Sequence, residues 1–242
     1  MTFPEINLHI HSTFSDGKNT IRQIVESALN LNLEYIAITD HFTNSWKNWV
    51  TKLENTDKIA EYLGEITHCQ EYLREYRKDL IVFKGLEVDL GSSLRFIRAH
   101  IQASKFDLIL FEYLQDVDTI AFVKNIINFW KRTIRNIDEL PIIGLAHFDP
   151  SYFIHGNLDI LISFLKDYSI YFEFNSSYPS YYSRQNEMFF EKLKENNIPV
   201  AIGCDSHNVS SLNNIEEPLD MIKYYNLENN LQYLIRILEN RC

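Results

Sequence analysis

A helix-covered α/β fold on a parallel sheet is expected for this chain, on three grounds. Short apolar runs rich in Ile, Val, Phe and Tyr recur from residue 6 to residue 204, separated by longer amphipathic segments. Such alternation calls for parallel strands joined by crossover helices, either as a barrel or as a doubly wound sheet. The length of 242 residues, 45% of them hydrophobic, suits one large domain spanning residues 1–242.

The first expected strand is INLHIH (6–11), where side chains alternate so that His9 and His11 share one face and Leu8 and Ile10 the other. A helix follows over 20–33, with Thr20 as its N-cap. YIAIT (35–39) is the second strand, and 57–77 is a helix by its i, i+3/i+4 apolar spacing. LIVFKGLEV (80–88) is read as one strand, and RFIRAHIQ after it as helical. FDLILFEY (106–113), PIIGLAH (141–147), SIYFEF (169–174) and PVAIGC (199–204) complete the strands. Helices are expected at 117–137, 158–168, 184–197 and 227–240. Seven glycines and six prolines leave little room for low-complexity segments, and no fixed-period repeat stands out.

Composition removes several function classes. A net charge of −10 is a poor footprint for nucleic-acid binding, which needs a basic surface, so no nucleic-acid partner is expected. An anionic substrate stays open, because a bound divalent ion can dominate the local field. No apolar run reaches membrane-spanning length, and the start MTFPEINLHIH has neither a basic nor an apolar leader region. Cys69, Cys204 and Cys242 lack metal-type spacing. The expectation is a cytoplasmic protein with free thiols and no membrane partner.

The chemistry gathers at the strand ends. In chain order these carry His9 and His11, Asp40 and His41, Glu87 and Asp89, Glu112, His147 and Asp149, Glu173 and Asn175, then Asp205 and His207. The carboxyl ends of parallel strands form one face, where sites are built. One polar strand end is ordinary turn chemistry; seven in succession are not. His68 and His100 fall in helices and read as surface or packing residues, and His155 sits in a loop. Imidazole with carboxylate and without thiolate suits zinc, manganese or iron. The candidates are about twice the four ligands of a closed structural zinc site, which points to two or three clustered metals. Clustered ions are a phosphoester-hydrolysis device. No Gly-rich phosphate loop or GxSxG elbow is present.

The segments HIHSTFSDG, ITDHF, KGLEVDL, GLAHFDP, YFEFNSS and IGCDSHN, spread from residue 7 to about 208, together resemble the ordered motif set of the PHP family. That family includes histidinol-phosphate phosphatases, other phosphoesterases and the PHP domains of bacterial DNA polymerases. The resemblance implies a distorted (β/α)7 TIM-like barrel with a trinuclear site at its C-terminal face. It implies that His9, His11, Glu87 and Asp205 hold one metal, that Glu87 bridges to a second shared with His147, and that Asp16, His41 and His207 hold the third. One departure stands out, since the position where the family carries a fourth-strand His falls on Leu114. Glu112, two residues earlier and so on the same strand face, is the candidate replacement; otherwise the second site is weak or empty.

The expected activity is hydrolysis of a small phosphomonoester, histidinol-phosphatase-like, by a metal-bridging hydroxide at a di- or trinuclear site. Glu87, Asp205 and Arg184 are the catalytic candidates. Arg184 is also the expected phosphate anchor, since a guanidinium matches phosphate in bidentate geometry. Asn175 and Arg98, with Arg95 in reserve, are further substrate-binding candidates, and Tyr178, Tyr181 and Tyr182 either wall the leaving-group pocket or cover the barrel rim. The expected partner is a small phosphorylated metabolite. Two other readings compete. One is a metal-binding PHP-like module without catalysis, favoured by Leu114. The other is a metal-dependent amidohydrolase, disfavoured because the chain runs out after the seventh strand.

Overall fold

The computed structural model describes residues 3–46 and 49–241, so Cys242 lies outside it. Among the described residues nine strands pair in parallel: β1 (Ile6–Ile10), β2 (Tyr35–Ile38), β3 (His41–Phe42), β4 (Ile81–Lys84), β5 (Glu87–Asp89), β6 (Leu108–Glu112), β7 (Ile142–Leu145), β8 (Ile170–Asn175) and β9 (Val200–Gly203). They form two sheets, β1-β2-β4 and β3-β5-β6-β7-β8-β9. Because β3 continues the path of β2 and β5 that of β4, the nine strands make seven staves. The sheets join where Asp107 N donates to Lys84 O at 2.8 Å. The ring closes between β1 and the end of β9, where His11 N donates to Ser206 O at 3.0 Å and Ser206 N to His9 O at 3.1 Å.

The split of the second and third staves corrects the sequence reading, which took 80–88 as one strand and ended the second at 39. Gly85 lies so close to Ile38 that a Cβ there would strike the Ile38 carbonyl. At the break Ile38 O still accepts from Gly85 N at 2.8 Å. Tyr62, fully buried, donates its hydroxyl towards Ile38 O at 2.6 Å and Gly85 O at 2.8 Å. Interrupting the ladder re-aims the residues beyond it, here His41 and Glu87.

Helices cover the barrel. α1 (Ile21–Asn30) starts with a capping box, Thr20 accepting from Gln23 N while the Gln23 side chain accepts from Thr20 N. α2 (Thr56–Glu75) and α3 (Leu94–His100) start at Asn55 and Ser93 caps. α4 (Val117–Thr133) ends four residues before its expected limit, because the chain turns extended at Ile134 and Asn136 accepts from Asp138 N in a separate 3₁₀ turn. The short α5 (Ser151–Ile154) and α6 (Leu158–Tyr168) follow, and α7 (Glu187–Glu195) is preceded by a 3₁₀ turn over 184–186. α8 (Glu216–Tyr224), which the sequence reading missed, carries Pro218 in its first turn, where a missing N–H costs nothing. α9 (Glu228–Glu239) seals the chain's end. Both faces of every strand are largely buried, as in a helix-covered parallel sheet.

Candidate metal centre

Parallel strands deliver their last residues to one end of the barrel, and the expected donors meet there. Glu87 sits in the middle, fully buried. Its Oε2 is 3.2 Å from His9 Nε2, 3.4 Å from His11 Nε2 and 3.0 Å from His41 Nδ1, and its Oε1 is 3.2 Å from His147 Nε2. Asp205 Oδ1 reaches His11 Nε2 at 2.9 Å and His9 Nε2 at 3.5 Å. Asp16 Oδ1 reaches His207 Nε2 at 3.1 Å and lies 3.8 Å from both His11 Nδ1 and His41 Nε2. Glu112 lies between His41 Nδ1 at 3.4 Å and His147 Nε2 at 3.9 Å. Among the described residues, three sets have donor atoms mutually within 4.8 Å: His9, His11 and Asp205; His11, Asp16, His41 and His207; and His41, Glu87 and Glu112.

The chemistry of these atoms is the test of whether they suit divalent ions. Both oxygens of Glu87, both of Glu112 and Nδ1 of His41 are buried and make no aligned hydrogen bond, although histidine nitrogens surround the carboxylates at ion-pair distance. Carboxylate oxygens without aligned donors at such depth are costly, and groups of this kind ordinarily signal an ion or water. Oxygen and imidazole donors of this number fit clustered zinc, manganese or iron. The ionisation pattern tells the same story. Burial, then the Glu87 charge, push Glu112 up to about 7. Burial would lower His41, but Glu87 and then Glu112 outweigh it and lift it to about 9. Asp205 is held well below the carboxylate range, because His9 and His11 outweigh its burial. Charges are being balanced here by protons, a role a cation can take over.

A second layer fixes the donors. Glu173 Oε1 binds His9 Nδ1 at 2.8 Å, and its Oε2 accepts from His147 N at 2.7 Å and Asn175 Nδ2 at 2.9 Å. One carboxylate thereby orients two histidines and leaves His9 Nε2 pointing at Glu87 and Asp205. Gly203 makes the room, since a Cβ there would run into Glu173 Oε1 and the Cβ of His9. Asp40 accepts from Ser12 N at 2.8 Å, Ser12 Oγ at 2.6 Å and Ser15 Oγ at 2.5 Å, pinning the turn that carries Asp16. Tyr113, His147 and Asp205, each just past a strand, have φ of 66°, 31° and 47°. Non-glycine residues in this region are strained, and such strain collects at functional sites.

Some expected residues are elsewhere. Arg184 is exposed, with its guanidinium 4.7 Å over the Tyr224 ring. Arg98 lies 4.9 Å over Phe129 in the helical layer, and Arg95 is exposed on α3. Leu114 is 3% exposed and belongs to the hydrophobic core. Its assumed shared face with Glu112 does not hold, because the left-handed Tyr113 ends the two-residue alternation. Asp89 accepts from Thr43 Oγ1 at 2.6 Å and Asp149 from Ser151 N at 2.9 Å, both fastening loops. Tyr178 packs on His147 at 4.7 Å between ring centroids, whereas Tyr182 is buried against Phe174. Trp46, overlooked in the sequence, packs on His41 at 4.4 Å.

Comparison with known proteins agrees with this geometry. The chain is 22% identical over 220 residues to the DNA polymerase/3'-5' exonuclease PolX of Bacillus subtilis (strain 168), covering 87% of the chain and 35% of that relative. It therefore spans about a third of the length of the curated relative it matches. Its fold is similar to that of histidinol phosphate phosphatase from Lactococcus lactis subsp. lactis Il1403, solved with zinc, L-histidinol and phosphate (TM-score 0.61, 17% identity, 93% of this chain and 94% of that one). It is also similar to the metal-dependent tyrosine phosphatases YwqE of Bacillus subtilis and CpsB of Streptococcus pneumoniae, matched as one structure (TM-score 0.54, 17% identity, 90% and 86% covered). The barrel is thus the distorted TIM type, and among the described residues no helix is long and apolar enough to cross a membrane. The PHP domain family model matches residues 7–177, more than half of the chain, and the chain belongs to the PHP domain family.

Proposed function

We propose that this chain is a metal-dependent phosphoesterase that hydrolyses a small phosphomonoester, in the manner of histidinol phosphate phosphatase. The observation that carries the reading is the set of buried Glu87 and Glu112 oxygens that make no aligned hydrogen bond inside a ring of histidines. In this reading His9, His11, Asp16, His41, Glu87, Glu112, His147, Asp205 and His207 hold two or three divalent ions of zinc, manganese or iron. Such ions would supply Lewis acidity and an acidified water. Glu87, at the centre of the barrel mouth, would be shared among the ions, and Asp205 would join His9 and His11 in holding one of them. Glu173 holds His9 and His147, and Asn175 steadies Glu173, so Asn175 acts on the site's shape. Arg184 and Arg98, engaged with Tyr224 and Phe129, have no part in the proposal.

Protein stripped with chelator and reloaded with Mn²⁺ or Zn²⁺ is expected to hydrolyse an aryl phosphate. His9→Ala and Asp205→Ala should each abolish activity, and Glu112→Ala should lose about one metal equivalent per chain by elemental analysis. Unchanged full occupancy in Glu112→Ala removes Glu112 from the ligand set. Fully loaded protein inactive on a broad phosphomonoester panel overturns the enzymatic reading and favours a metal-holding module without catalysis.

A further inference from the structure

A neutral imidazole has two ring nitrogens but offers a lone pair on only one of them. A metal-binding histidine ordinarily ties the other nitrogen to the protein, which fixes both the ring and the choice. His9 does so, with Nδ1 on Glu173 Oε1 at 2.8 Å, and so does His207, whose Nδ1 donates to the Asp205 carbonyl at 2.9 Å. His11, although it belongs to two donor sets, has Nε2 2.9 Å from Asp205 and turns Nδ1 to Ser15 Oγ at 3.4 Å. His41 is placed differently. Its Nδ1 faces Glu87 Oε2 at 3.0 Å and Glu112 Oε1 at 3.4 Å, while its Nε2 lies 3.8 Å from Asp16 Oδ1. That Nδ1 is buried and makes no aligned hydrogen bond. Each nitrogen of His41 thus faces a different donor set, one with Glu87 and Glu112, the other with His11, Asp16 and His207.

The fold explains this double aim. The break after β2 re-aims His41, and β3 pairs with β5 in a register that sets His41 directly opposite Glu87. Glu112 ends β6, the next strand over, opposite Asp89 of β5. The left-handed Tyr113 then turns Leu114 into the hydrophobic core, so Leu114 supplies nothing to the Glu87–Glu112 set. Two imidazoles remain near Glu112, and His41 Nδ1, at 3.4 Å, is closer than His147 Nε2, at 3.9 Å. Trp46 and His11 pack on the His41 ring, each at 4.4 Å between centroids, and hold it in this pose.

We propose that His41 is a ligand for which two metal sites compete: its Nε2 completes the Asp16–His207 site, or its Nδ1 completes the Glu87–Glu112 site, and never both at once. This rests on the metal-dependent reading above and adds how the ions are loaded. Whichever ion takes the lone pair of the ring leaves the other site one donor short, so the two ions oppose each other's binding. The opposition is reciprocal, and the last ion is held about tenfold more weakly than the ion that has His41. The centre then keeps its other ions firmly and exchanges one, whose occupancy follows the supply of metal.

The test reads the ring nitrogens themselves. Stripped protein carrying ¹⁵N-labelled histidine is reloaded with Zn²⁺ and followed by two-bond ¹H–¹⁵N spectra, which tell a zinc-bound nitrogen from a protonated or a free one. Elemental analysis counts the zinc in each sample. In Glu112→Gln, His41 is expected to hold zinc on Nε2. With the opposite site disabled by Asp16→Asn and His207→Gln together, zinc should move to Nδ1. Wild type should show one bound nitrogen on His41 at every loading. The same nitrogen bound in both variants overturns the competition, because His41 then belongs to one site. Zinc on both nitrogens at once makes the ring a bridge and overturns it as well, and so does zinc retained elsewhere with His41 free. Calorimetry on wild type gives a measurement that needs no variant to fold: a last zinc step about tenfold weaker than the one before it is expected, and steps of equal affinity overturn the proposal. No zinc retained by folded wild type overturns the metal-dependent reading along with it.

Discussion

Glu173 and Gly203 show how narrowly the centre is specified at the level of single side chains. The carboxylate of Glu173 serves His9, the backbone of His147 and Asn175 together, and it fits because position 203 has no Cβ. Gly203→Ala is therefore expected to cost about 1–3 kcal/mol, the usual scale of overpacking. A drop in Tm and weaker metal binding in the same sample would show it; wild-type values for both would contradict the crowding. Asp16 and His207 give a pH signature in metal-free protein. The His207 hydrogen bond, with His41 and His11, outweighs burial and lowers Asp16 to about 2, so its contribution is complete above 3.8 and is lost as pH falls through about 2. His207 is raised by Asp16 against its burial, so its contribution is complete below 6.5 and is lost as pH rises through the elevated folded value. Asp16→Asn should then lower the Tm of chelated protein most between pH 3.8 and 6.5, with the gap to wild type shrinking on either side. Since both groups are about a third exposed, the effect is modest and salt-sensitive.

Among the elements, α1 is the clearest case of a legible signal, because Thr20 and Gln23 announce a capping box before the apolar periodicity begins. Thr20→Ala should cost about 1 kcal/mol, seen as a Tm fall of roughly 2–4 °C for a chain of this size; no shift would mean that packing alone holds the helix start. Strand-end chemistry was legible for the same reason: period-2 alternation tells which face His9 and His11 share. Where the alternation is interrupted, the sequence misleads. Nothing in KGLEV declares that Gly85 must pass close under Ile38, so one strand was read where there are two. Leu114 was paired with Glu112 by alternation that Tyr113 cancels with a left-handed φ. α8 was hidden by Pro218, which breaks a helix interior but not a first turn. Trp46 folds back onto His41 from the loop after β3, while Glu173 acts through contacts with other strands, and no local pattern distinguishes a carboxylate that orients a histidine from one that faces an ion.

For the molecule as a whole, the centre is an unbalanced charge cluster set in a well-packed barrel. Metal uptake by stripped protein must displace protons, among them those of Glu112, at about 7, and His41, at about 9. Affinity for Mn²⁺ or Zn²⁺ should rise across about pH 6 to 8, with proton release in calorimetry that depends on the buffer's ionisation heat. A pH-independent affinity would count against these groups as ligands. Loading should also raise Tm in a concentration-dependent way, since ions that bind the assembled site stabilise it by mass action.

The seam of the barrel gives that loading a further meaning. β1 meets the end of β9 through the backbone bonds of His9 and His11 with Ser206 and through the Asn7 side chain, which accepts from Cys204 N, and His9, His11, Asp205 and His207 flank that joint. The donors that flank this joint thus come from opposite ends of the chain, and pairing its first strand with its last is a contact of high sequence separation, which slows folding. The ions would arrive at a place that does not exist until the ring is complete. Capture of a metal by a refolding chain would then serve as a clock for ring closure, timing the final joining of the first strand to the last.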